Sequence, residues 1–130
     1  MSDTQNTPNM PVYEQIGEQG FARLVGAFYR RVSNDPVLRP VYPEPDLSGA
    51  ERRLRLFLIQ YFGGPTTYSQ ERGHPRLRMR HQPFVIGQAE RDAWVKDMLG
   101  ALEEAGIAEP AYSMMRDYFI SGADFMINSR

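Results

Sequence analysis

Between Gly20 and the turn Asn34-Asp35-Pro36, the apolar residues Phe21, Leu24, Val25, Phe28, Tyr29 and Val32 recur at steps of one, three and four. That spacing places all six on one stripe of a helix, whereas a strand would scatter them over both faces. The same period returns in three later segments. Leu54, Phe57, Leu58, Tyr61 and Phe62 follow Ser48 and stop at Gly63-Gly64-Pro65. Ala93, Trp94, Met98, Leu99 and Leu102 mark a helix over about residues 88–104, which Gly106 ends. Ala111, Met114, Met115, Tyr118, Phe119 and Met126 mark the last one, started by Pro110 and running close to Asn128. Ser48 and Glu51 have capping-box spacing at the second of these helices. Four main helices around one core, joined by short extra turns, make an all-α domain the expected fold.

Shorter pieces fill the gaps. Residues 1–10 are read as a flexible tail and 11–130 as a single domain, with a short helix over 12–18 that Gly20 breaks. A single turn reaches Val41 or Tyr42, and Pro43 and Pro45 stiffen the connector that follows. Residues 66–75 read as a polar loop with room for one helical turn, ahead of a short helix containing His81 that Pro83 stops. A chain of 130 residues buries roughly two thirds of its unfolded surface, enough for one core.

Several chemistries are excluded at once. The sequence has no cysteine, so disulfides, thiolate zinc sites, cysteine nucleophiles and cysteine-ligated iron-sulfur clusters are out. Fifteen basic against sixteen acidic residues leave a net charge of -1, which gives no general attraction to nucleic acid or anionic membrane. No apolar run is long enough to span a bilayer as a helix, and the first ten residues lack the basic start and apolar core of a secretion signal. A soluble cytoplasmic protein is expected.

Two histidines remain for metal chemistry, His74 in a turn-rich stretch and His81 in Arg78-Met79-Arg80-His81-Gln82-Pro83-Phe84. By residue type alone, His81 is either a helix histidine bonded to a carbonyl or one imidazole ligand to a haem iron, with arginines for the propionates. Two histidines without clustered carboxylates make a poor zinc site. Tyr29, Tyr42 and Trp94 are equally readable as core anchors with polar tips. Arg72, Arg76, Arg78 and Arg80 suit a solvated face, a phosphate patch or a carboxylate site, and no exposed aromatic platform supports nucleic-acid binding.

Longer motifs narrow these alternatives. Phe28-Tyr29, Val41-Tyr42-Pro43-Glu44, Gln60-Tyr61-Phe62-Gly63-Gly64-Pro65, Ala93-Trp94 and the whole run from Arg72-Gly73-His74-Pro75 to His81 together resemble the group II truncated haemoglobins, over nearly all of residues 11–129. The resemblance implies a two-over-two helical sandwich around haem b, with His81 as the iron ligand. It implies that Tyr29, Tyr42 and Trp94 touch the bound gas, with Leu54 as an apolar neighbour and small Ala50 where many globins carry a distal histidine. Phe57, Met79 and Phe84 are expected to wall the haem, and Arg80, Arg76 and Tyr68 to hold its propionates. Gly63-Gly64 is expected to end its helix and let the next segment approach the haem.

The function implied is reversible binding of dioxygen, carbon monoxide or nitric oxide at ferrous iron. Oxidation of nitric oxide to nitrate with an external electron donor is the enzymatic form of that activity. A peroxidase-like enzyme using peroxide, and a non-enzymatic oxygen-binding or sensing module, are the alternatives. A homodimer is compatible with the sequence.

Overall fold

The computed structural model describes residues 10–76, 80–81 and 86–128, so the expectations for the tail over 1–9, for Met79 and for Phe84 lie outside the described residues. The helices are α1 (Val12–Ser33), α2 (Ser48–Tyr61), α3 (Thr67–Arg72), α4 (Gln88–Ala105) and α5 (Ala111–Met126), with a 3₁₀ turn at Arg39–Val41. Among the described residues there is no strand. Helix α1 packs on α2, α4 packs on α5, and the two pairs meet chiefly where α1 crosses α4.

The predicted stripes supply the core. Phe21, Leu24, Val25, Phe28 and Val32 of α1 are fully enclosed with Leu58 of α2, Met98 and Leu102 of α4, and Met115 of α5. Each such side chain contributes about 1.5–3 kcal/mol by leaving water. On α5 the buried residues are Ala111, Met115, Phe119 and Ala123, four apart, which confines its contact to one narrow row.

Helix α1 consists of the two helical stretches the sequence suggested, joined across a kink. Gly17, and not Gly20, carries the irregular backbone, with φ 67° and ψ 178°, a region essentially confined to glycine. Gly20 is helical and buried because a Cβ there would lie 2.6 Å from Cβ of Ile16. It is the close approach of the segment before the kink that selects glycine at 20.

Two other local expectations are corrected. The Ser48–Glu51 capping box does not form, because the Asp46 carboxylate accepts the Ser48 amide at 2.8 Å and places negative charge at the start of α2. The capping carboxylate is found instead at α4, where the Gly87 amide donates to Glu90 at 2.8 Å. Gly63 and Gly64 do end α2, yet they make room for the first turn of α1. Cβ atoms there would lie 2.9 Å from Pro11 and 2.6 Å from Tyr13, and the Tyr13 amide donates to the Phe62 carbonyl at 3.0 Å.

Candidate functional site

The helix crossing leaves a cavity of about 540 Å³ at the level of the 3₁₀ turn. Tyr29 reaches it from the second-last predicted position of the α1 stripe, Tyr42 from just beyond the 3₁₀ turn, and Trp94 from the second turn of α4. Ala50, Leu54 and Phe57 of α2 line the same space at helical spacing, with Phe119 and Met126 of α5. His81 lines it from the segment between α3 and α4. The walls are mainly apolar with a few convergent polar tips, the usual make-up of a small-molecule pocket.

The polar tips form one group. The rings of Tyr29 and Tyr42 meet edge to face at 5.6 Å, and Phe28 wedges against both Tyr29, at 5.0 Å, and Trp94, at 5.5 Å. Phe119 supports the indole from the far side at 5.8 Å. Burial pushes the Tyr42 hydroxyl up to about 12, although the neighbouring Tyr29 hydroxyl and Trp94 indole, which would stabilise its phenolate, pull the other way. Tyr29 is raised well above its ordinary value, first by burial and then by Tyr42. Both phenols therefore keep their protons at neutral pH and act as donors.

His81 is half-buried, and its backbone is tied to the end of the chain. The Asn128 side-chain amide donates to the His81 carbonyl at 3.3 Å, while Asn128 exchanges two further bonds with Ile86, its Oδ1 accepting the Ile86 amide at 2.9 Å and its own amide donating to the Ile86 carbonyl at 2.8 Å. Asn128, just after α5, thus ties the backbone of His81 and that of Ile86 to the same point. Nothing in the sequence pointed to Asn128, because a polar residue near a terminus looks like any other.

The basic residues divide differently from the expectation. Arg80 and buried Tyr68 line the cavity, but the Arg80 guanidinium already donates to the carbonyls of Pro75, Arg72 and His74 at 2.5, 2.8 and 3.1 Å. It straps the loop after α3 and lies 5.9 Å from the Tyr68 ring. Arg76 is exposed, has φ 46° and does not line the cavity. Arg53, Arg72 and Arg91 do line it. Arg53 is paired with Glu44 at 3.0 Å and Arg91 with Asp124 at 2.7 Å. Sequence reasoning passed over Arg53 and Arg91 because each sits in a helix among ordinary surface charges.

Residues 11–127 match the family described as bacterial-like globin. The chain is 43% identical over 107 residues to the group 2 truncated haemoglobin YjbI of Bacillus subtilis, which covers 82% of this chain and 77% of that one. Among solved structures it is similar to the haemoglobin of the thermophilic phototrophic bacterium Chloroflexus aurantiacus, with 57% identity, a TM-score of 0.89, and 92% and 99% of the two chains covered. A thermostable haemoglobin from the actinobacterium Thermobifida fusca is 51% identical, with a TM-score of 0.88 over 92% and 98% of the chains. A truncated oxygen-avid haemoglobin from Bacillus subtilis is 39% identical, with a TM-score of 0.87 over 92% and 100%.

Proposed function

The chain belongs to the bacterial-like globins and, within them, to the group II truncated haemoglobins, and on that premise we propose that it binds haem through His81 and holds dioxygen tightly beneath Tyr29, Tyr42 and Trp94. The family supports a haem-binding, oxygen-binding globin. The assignment of roles to residues rests on the cavity.

The residues fit the group. Among the described residues no cluster of three His, Cys, Asp or Glu can hold a bare metal ion, so an ion that brings its own equatorial donors and needs one imidazole is the kind this cavity suits. An apolar space of about 540 Å³, walled by Leu54, Phe57 and Phe119, suits a flat macrocycle. Arg53, Arg72 and Arg91 beside it suit two propionates, with Tyr68 at hand as a hydroxyl partner. When bound, haem supplies a ferrous iron that takes dioxygen and passes electron density to it.

The single observation that carries the reading is the convergence of three neutral polar tips on one apolar cavity. Tyr29, Tyr42 and Trp94 all line it and the two phenols keep their protons at neutral pH, so each residue brings an O–H or N–H donor to a ligand there. A neutral donor beside a developing negative charge slows escape without attracting a second proton. One such bond is worth about 1–3 kcal/mol, or roughly tenfold to over a hundredfold in release rate. The oxygen avidity of the Bacillus subtilis relative is consistent with this arrangement. Retention of that kind suits oxidation of nitric oxide to nitrate better than bulk delivery, and each turnover would need one electron from an external reductant.

A peroxidase-like second reading is favoured by one feature. Tyr118 lines the cavity and stacks at 4.1 Å on Tyr61, whose side chain is exposed, so oxidisable rings run from the site to the surface.

The test is spectroscopic. Stoichiometric haem uptake, a histidine-ligated ferrous spectrum, and carbon monoxide and dioxygen complexes are expected, with the histidine signature lost in His81→Gly. A folded protein that refuses haem, or an unchanged spectrum in His81→Gly, would remove the reading. Reductase-driven consumption of nitric oxide beyond one equivalent separates catalysis from storage.

A further inference from the structure

Behind the cavity, where the end of α1 meets the middle of α4, a second hollow of about 370 Å³ is lined by Arg30, Arg31, Asn34, Asp35, Lys96 and Asp97. Its floor contains two acids that should not be buried together. Asp35 is 7% exposed and Asp97 is 5% exposed. Their carboxyl groups are within hydrogen-bond reach of each other, yet Oδ2 of each has no donor among the described residues. Two carboxylates facing each other cannot satisfy either oxygen, whereas one proton between them satisfies both.

The surrounding cations do not remove the need for that proton. Arg30 and Arg31 of α1 are both engaged by Glu104 of α4, the second at 3.2 Å, and Lys96 is exposed. Among the described residues Tyr42 also faces the pair, and its hydroxyl feels the charge on Asp97.

Both acids are wired to the distal side of the cavity. Asp97 lies three residues after Trp94 on α4, so the two side chains are neighbours on one helix surface. Oδ1 of Asp35 accepts the amides of Val37 and Leu38 at 2.9 and 3.2 Å, and Leu38 is a buried wall residue of the cavity just ahead of the turn that delivers Tyr42.

We propose that Asp35 and Asp97 form a proton-sharing acid pair that positions Trp94 and the Leu38–Tyr42 turn, and that loss of the shared proton loosens the distal donors. This rests on the haem-and-dioxygen reading for its effect on ligand release, but the pair itself does not. Neither acid touches the ligand, so both are positioning residues. Burial, then the hydrogen bond and charge of Asp35, raise Asp97 to about 6, while the hydrogen bond from Asp97 is the main cause that lowers Asp35. The two titrate as one unit, and the shared proton leaves near pH 6.

The experiment uses the chain's only tryptophan as a reporter. In the carbonmonoxy protein, the single indole N–H cross-peak is followed by NMR from pH 5 to 8, and dioxygen release is timed over the same range. A shift of the cross-peak with a midpoint near 6 is expected, with release about two- to tenfold faster above it. Asp97→Asn keeps a donor toward Asp35 without a titrating proton, so it should hold the low-pH peak position and slow release at every pH. Asp97→Leu should show the high-pH behaviour throughout. If Asp97→Leu does not fold, wild type and Asp97→Asn decide the matter alone. A flat indole titration in wild type, or the same midpoint in Asp97→Asn, overturns the proposal. A protein that takes up no haem but whose indole peak titrates, with the shift abolished in Asp97→Asn, removes the gas-binding reading and keeps the acid pair.

Discussion

The larger cavity and the smaller hollow behind it are joined by one turn of α4, with Trp94 facing the first and Asp97 the second. In the first, the polar groups are two phenols and an indole, all neutral, converging on one apolar space. In the second, both groups are acids and neither Oδ2 finds a donor among the described residues. Phenols and indoles can be enclosed and left alone because their protons stay on throughout the physiological range. Carboxyl groups enclosed in the same way make the local structure depend on a proton count.

The sharpest break between the two regions comes from His81→Gly. It should abolish histidine-ligated absorption altogether and leave the pH response of the Trp94 indole in place, since the acid pair lies on the other side of α4.

Next in size is Phe28→Ala. The ring is fully buried and touches both Tyr29 and Trp94, so its removal opens a cavity worth about 3–5 kcal/mol in denaturant unfolding. Release of dioxygen should quicken as well, although no donor has been deleted. An unaltered release rate would mean that the donors hold their places without this wedge.

Removing donors one at a time is expected to cost less. Trp94→Phe should speed dioxygen release roughly ten- to a hundredfold and Tyr42→Phe about tenfold, measured by stopped-flow displacement. The two effects should not add, because both residues belong to one network. Additive effects would show that they act on the ligand independently.

The smallest effect belongs to the acid pair and has a definite sign. Asp97 has a folded-state value of about 6, above its ordinary 3.8, so the native state holds the proton more tightly than the unfolded chain does. Its contribution to stability is fully present below about pH 4 and is lost as pH rises through about 6. Asp35 is lowered by the same contact, so its part runs the other way and at lower pH. Unfolding free energy should therefore fall by roughly 1–2 kcal/mol between about pH 4 and 7, against a flat profile over that interval in Asp97→Asn.

The four helices and their inward faces were legible because apolar period is a direct consequence of burial. The joint placement of Tyr29, Tyr42, Trp94 and His81 around one space was legible as well, through motifs too long to be coincidence. The kink was assigned to Gly20 and belongs to Gly17, since sequence does not distinguish a glycine needed for its backbone from one needed for its missing Cβ. Asp35 read as a turn residue, and the apolar stripe of α4 did not single out Asp97. Both are buried, and a charged residue in a polar neighbourhood of sequence gives no sign of it. The box at Ser48 failed for a similar reason, as a stronger acceptor two residues earlier took the amide.

Gly100 has an influence out of proportion to its size. A Cβ there would lie 2.7 Å from Nη1 of Arg31, so the bare backbone of α4 is the shelf on which that guanidinium rests while it reaches Glu104. Arg31 also lowers the pKa of Asp97 through its charge. Filling the shelf with a methyl group would dislodge the cation from Glu104 and free it to swing along the groove, so an uncharged, aliphatic change on the outer helix would retune how readily an enclosed carboxylic acid ionises.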